Sequence, residues 1–353
     1  MSRSMLGGLL AAVAIALSAG AVSAQDLPDV NLKVSGGNRT QNMFKFIQEP
    51  FFTKQITEDS NGAVTTTFGS LDDLGLQGPE VLRLLQLGMF DISEGTLSYM
   101  AGEDAHFDAL DLPGLTADID MQRKVADAYR PTLAKILEDK FKVKLLSMSP
   151  IALQVIYCKG DIKGLADLKG KKVRTYNRGM SDLVEAAGAA AVNIPFAEVV
   201  PAMQRGVADC AVTATSAGNT ARWWEVTDSL VKVPMGWATT FFAANLANWN
   251  RLDPKVQAFL TDEFAKMEDR QWKQAAADIQ DGINCNTGMG ECKNGIPADK
   301  KMTLVELSDA DQALAKKLVE GVLKGWASRC GADCAKDWNA KVGTLLGVDA
   351  PVE

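Results

Sequence analysis

Arg174 ends the basic run Lys171-Lys172-Val173-Arg174, in a strand-like segment that follows the turn at Gly170. In open α/β sheets, ligands bind beyond the carboxyl ends of strands, and a guanidinium placed there offers a planar fork matched to a carboxylate. An anion clamp is one reading of Arg174. The other is an arginine that leaves the sheet for solvent or pairs with a structural acid. Little else in the chain could do chemistry. His106 is the only histidine, so Ser-His, Cys-His and histidine-metal schemes lack the imidazoles they need. No HExxH, GxSxG or EF-hand pattern occurs, and Gly164 to Lys171 has five residues between its glycines and no Ser or Thr after the lysine, which makes it a turn and not a phosphate loop. Asn38-Arg39-Thr40 matches a glycosylation sequon that matters only in a eukaryotic secretory pathway.

The six cysteines are Cys158, Cys210, Cys285, Cys292, Cys330 and Cys334. Cys285 with Cys292 and Cys330 with Cys334 flank short turn-like stretches and read as local staples, which leaves Cys158 for Cys210. A zinc site built from the last four would be the alternative, but neither spacing is C-x2-C. Neither metal nor cofactor is expected. An even cysteine count suits an exported chain, and the N-terminus agrees: Arg3 is a positive n-region, Leu6 to Leu17 an apolar h-region, and Val22-Ser23-Ala24 a small-residue cleavage site before Gln25. The apolar run is too short to span a bilayer, so residues 1–24 read as a signal peptide cleaved after Ala24, and the location as the periplasm.

These residues need elements to position them. Of the 353 residues, 47% are hydrophobic and 23% charged, enough for a large core, while a net charge of -7 without basic clusters excludes a nucleic-acid partner. Strand-like runs at Asn31 to Ser35, Val64 to Phe68, Phe90 to Ser93 and Val143 to Met148 alternate with helical spacing such as that of Val81 to Leu85 after Pro79. A second array follows, with strands at Leu153 to Tyr157, Lys172 to Tyr176, Ala191 to Ile194 and Ala211 to Ala214, and helices from near Ser181 and over Phe196 to Gln204. Asp253 to Ile283 reads as a long helix, and Ser308-Asp309-Ala310-Asp311 as a capping box opening another. The chain exceeds the size at which one core stops growing, and no Pro/Ser/Gly-rich linker divides it. The fold class is therefore α/β, with two lobes joined by ordered backbone over a cleft.

Ala166 to Arg174, Pro195 to Asp209 and Trp224-Glu225-Val226 resemble the DctP-type solute-binding proteins of tripartite ATP-independent periplasmic (TRAP) transporters, as do Val81 to Asp91 and Leu110 to Gly114. The resemblance implies a two-lobed periplasmic binding protein fold, type II-like, with inter-lobe crossing strands and a long C-terminal helix. Its parts would be lobe I over 25–151, lobe II over 152–238, and 239–353 returning to lobe I with the connecting helix and a C-terminal helical segment. It implies a subunit that captures a small organic acid by lobe closure and delivers it to small and large membrane subunits, with the Arg174 position holding the ligand carboxylate. The family's Asp-Gly-x-x-Asn pattern appears as Asp209 to Thr213, which puts Thr213 at the asparagine and Cys210 at the glycine. A second family arginine is matched by Gln154, which weakens the case for a dicarboxylate. Other expected lining residues are Asn38, Arg39, Glu94, Thr96 and Thr215, each also readable as a turn or cap residue. Trp237 is expected at the cleft and Trp224 in the core. Arg174 with these aromatics points to a monocarboxylate with an apolar or aromatic body. Three alternatives stand beside this reading: a zwitterionic ligand, a subunit feeding a sensor, and an exported hydrolase, which would need an unseen nucleophile or metal.

Overall fold

A computed structural model describes residues 27–352; the expected signal segment lies outside the described residues. Among the described residues, eleven strands make two sheets. They are β1 (Val30–Ser35), β2 (Val64–Gly69), β3 (Ile92–Thr96), β4 (Val143–Pro150), β5 (Gln154–Cys158), β6 (Lys172–Thr175), β7 (Ala190–Asn193), β8 (Cys210–Ala214), β9 (Ser229–Val231), β10 (Thr239–Asn245) and β11 (Thr303–Val305). The first sheet has the order β2-β1-β3-β10-β4 and the second β11-β9-β5-β8-β6-β7. The mixed α/β, two-lobed architecture is the one expected. The second sheet also takes β11 from the C-terminal part of the chain, a strand of three residues too short to show a period.

Two ordered crossings join the sheets. β4 runs through Ile151 to Leu153 into β5, and β9 runs through Lys232 to Ala238 into β10. The crossings bond to each other: Ile151 N–H donates to Ala238 O at 3.2 Å, Gln154 N–H to Gly236 O at 2.9 Å, and Met235 N–H to Gln154 O at 3.0 Å. Gly236 has φ +98°, and a Cβ there would lie 2.6 Å from the backbone oxygen of Asp111, so both the turn and the close approach need glycine. The Asp111 carboxylate accepts the Thr239 N–H at 2.9 Å and the Thr239 hydroxyl at 2.8 Å, which ties the start of β10 to the first lobe.

The helix Pro254–Thr287 is the third bridge. Asp253 caps its N-terminus, proline opens it, and Gly288 ends it in the left-handed region. It packs on β4 of the first sheet and on the helix Thr215–Thr220 beside the second. Ser308 and Asp311 form the expected capping box of the helix Asp309–Cys330. The helix expected near Ser181 opens earlier, at Arg178, because the Asn177 side chain accepts the Met180 N–H at 2.8 Å. The three expected cysteine pairs are joined, Cys158 to Cys210, Cys285 to Cys292 and Cys330 to Cys334. Cys158 and Cys210 face each other directly in the antiparallel pair β5 and β8.

Apolar side chains explain the layers. Phe51, Phe52, Phe242 and Phe264 pack between the first sheet and the long helix. Tyr157, Trp223, Leu230 and Ile283 fill the corresponding layer beside the second sheet.

Candidate functional site

Strand alternation places Arg174 and Tyr176 on the same face at the end of β6. The Arg174 side chain is 1% exposed, with Tyr176 5.1 Å and Trp223 5.9 Å from its guanidinium carbon. Nε donates to Ile194 O at 2.7 Å and Nη1 to Val212 O at 2.6 Å. Two backbone carbonyls thus lock the fork, while the buried Nη2 has no hydrogen-bond partner among the described residues. Burial draws the Arg174 pKa below its ordinary value, opposed in part by the nearby Tyr99 and Tyr176 phenols. A cation held dry and without a carboxylate partner is stabilised by an arriving anion.

Arg174 belongs to the wall of a cavity of about 70 Å³ between the sheets. One water needs roughly 10 to 15 Å³, so the space holds about five waters. Arg174, Thr213 and Gln154 line it from the second sheet, and Glu94, Thr96 and Asn38 from the first. Six of the nine expected ligand-lining residues therefore meet in one place. Gln154 is buried with its Nε2 donating to Ala152 O at 2.8 Å, so its amide is partly committed to the crossing backbone.

The other three lie elsewhere. Arg39 points outward and pairs with Asp73 at 2.9 Å. The Thr215 hydroxyl donates to Ile279 O at 2.9 Å and so joins the long helix to its neighbour. Trp237 is buried outside the cavity with its Nε1 donating to Thr116 O at 3.1 Å. Trp223 stands behind Arg174, and Trp224 is core, as expected. An aromatic ligand body thus loses its supposed tryptophan support, because an indole adjacent in sequence to a crossing turn satisfied its N–H and its apolar area inside the first lobe instead.

Tyr99, Tyr176, Phe196 and Thr240 also line the cavity and were not expected there. Tyr176 could have been found, since it is two residues from Arg174 in a strand. Glu94 is 7% exposed. Burial pushes its carboxyl up to about 7, against the pull of hydrogen bonds from Gln48 and Thr240. Two side-chain groups with metal-ligand character, His106 with Cys330 and Cys334, and Asp281 with Cys285 and Cys292, each contain a joined cysteine pair, which has no thiolate to offer.

The sequence profile of DctP, bacterial extracellular solute-binding protein family 7, matches residues 34–328. A "Solute-binding protein" of Albidiferax ferrireducens is 25% identical over 263 residues, which is 73% of this chain and 70% of the relative. Among solved structures, an extracytoplasmic solute receptor of Bordetella pertussis binding pyroglutamic acid is similar with a TM-score of 0.78 and 25% identity, over 88% of this chain and 99% of that one. A sugar acid binding protein from Advenella mimigardefordensis in complex with galactonate matches with a TM-score of 0.80 over 91% of this chain and 100% of that one, and at 17% identity that likeness speaks to fold alone.

Proposed function

The chain belongs to family 7 of the bacterial extracellular solute-binding proteins, and from that premise we propose that it is the solute-capturing subunit of a TRAP transporter. It takes a small organic acid between its lobes and presents it to the small and large membrane subunits. The observation that carries this reading is the buried Arg174 in the cavity wall, with two donors fixed on carbonyls and Nη2 left without a protein partner among the described residues. A carboxylate arriving there gains a charge-assisted bond in a dry site and relieves an unpaired cation. The pyroglutamic acid of the Bordetella receptor supports a small carboxylate.

Binding and not turnover is the activity, because the family is one of transport binding proteins. The chain works in the periplasm after removal of residues 1–24, in keeping with an extracellular family. Arg174, Thr213, Gln154, Glu94, Thr96 and Asn38 form the ligand site, and the lobes are those joined by the two crossings.

Calorimetric titration of the chain starting at Gln25 with a panel of small carboxylates tests the proposal. At least one acid binds the wild type, and Arg174→Lys weakens it. A panel without a single binder, or equal affinity for both proteins, refutes the reading.

A further inference from the structure

Arg174 answers one end of an acid. The cavity wall from the first sheet carries a buried carboxyl group. Glu94 stands on β3, and no cation pairs with it among the described residues. Beside Thr240, its partner is Gln48, at the end of the π-helical turn Phe44–Gln48 and itself 1% exposed. Gly37 N–H donates to Gln48 Oε1 at 2.9 Å, and this fixes which end of the amide is which. Nε2 must then face Glu94, and it donates to Oε1 at 2.8 Å. Oε2 of Glu94 lies 2.0 Å from where a Cβ on residue 37 would be, so glycine at that position leaves the carboxylate its place. Gln48 thus acts as a positioning residue: it occupies one carboxylate oxygen and holds the group as an acceptor.

On the reading that this cavity binds an acid through Arg174, we infer that the ligand is a monocarboxylate carrying an N–H or O–H donor on its far side, as in a lactam acid, a hydroxy acid or an amino acid, and that Glu94, held by Gln48, receives that donor. A donor satisfies a buried acceptor that protein atoms leave partly unmet, whereas an acid lacking one leaves it unpaired. A dicarboxylate would bring its second negative charge toward Glu94 and is excluded by repulsion. Arg174 and Glu94 come from opposite sheets, so a ligand with both ends bridges the lobes and favours their closure.

The test uses pairs of probes that differ only in the donor. Calorimetry on the chain from Gln25 compares L-pyroglutamate with the lactone acid that has a ring oxygen in place of the N–H, and lactate with propionate; succinate is the dicarboxylate control. The donor member of each pair binds at least about tenfold more tightly to the wild type, and succinate binds least. In Glu94→Gln the new amide gives its oxygen to Gln48 and turns its NH2 to the ligand, so the preference shrinks to within about threefold or reverses. Equal affinities within each wild-type pair overturn the inference, as does a preference unchanged in Glu94→Gln. Should that variant not fold, the wild-type pairs decide alone. Acids that bind without regard to the donor yet weaken in Arg174→Lys would sink this inference and leave the parent reading standing. If no acid binds the wild type, both fall.

Discussion

A guanidinium with two donors bonded to the carbonyls of Ile194 and Val212 cannot follow a moving ligand, so the direction of Nη2 is set before anything binds. Arg174→Lys removes the fork and also leaves those buried carbonyls short of donors. The expected outcome is a loss of acid affinity of about 2 to 5 kcal/mol, together with a small drop in melting temperature. Titration calorimetry and thermal unfolding monitored by circular dichroism measure the two; retained affinity would reduce the residue to a structural role. Glu94 adds a pH signature. Its carboxyl titrates near 7 because burial disfavours the charge, and Arg174, Tyr99 and Tyr176 share the cavity with it. Above that pH it is a carboxylate that accepts, and below it a carboxylic acid that can donate. Affinity for L-pyroglutamate should therefore rise between about pH 6 and about pH 8, and a flat profile in calorimetry would show that no donor meets Glu94.

The crossings govern how the elements move together. Gly236→Ala would place a Cβ against the backbone oxygen of Asp111 at a positive φ, and neither backbone can yield without shifting β10. We expect a destabilisation of about 1 to 3 kcal/mol, read as a lower urea midpoint with an unchanged slope; an unaltered midpoint would mean that the crossing is slack. The sequence announces some of these elements and hides others, for physical reasons. The long helix is legible because a proline opens it and a glycine ends it, with no proline and only the late Gly282 between. β10 is not, since Thr239 to Asn245 is buried throughout and so lacks the alternation that marks a strand with one wet face. The helix Ile119–Asp139 escapes because Pro131 lies inside it. The anion-binding role proposed for Arg174 is legible from its place beside a strand end and from family resemblance. Gln48 is not, because its meaning depends on Gly37 and on Glu94, 46 residues away, and nothing local fixes that meeting. Trp237 shows the opposite error: an aromatic beside a crossing looks like cleft and is core.

Across the whole molecule, four buried carboxyls pull the same way. Burial raises Glu94 and Asp108 to about 7 and Asp111 and Asp278 to about 6, with repulsion from Asp111 adding to the shift of Asp108. Each holds its proton more tightly folded than unfolded, so its contribution to stability is complete below about pH 4 and is lost as the pH rises through 6 to 7. The carboxylates held below their ordinary values, such as Asp228 and Asp311, titrate under this window and leave it untouched. The ligand-free protein should accordingly melt at a higher temperature near pH 5 than near pH 8, and scanning calorimetry showing the reverse would mean that these carboxyls are wetter than their surroundings indicate. Strand order carries a further consequence, in time instead of space. β3 and β4 meet only through β10, so a chain emerging N-terminus first from a ribosome or a translocation channel cannot complete its first sheet until residue 245 of 353 has appeared. By then the segments of every strand of the second sheet except β11 are already out. Such late closure of a non-local pairing slows folding, and throughout that interval β3 and β4 present open edges that a chaperone can grip. The strand that ends the wait is also the one that returns from the second lobe, so the nascent chain gains its first sheet and its cleft in a single step.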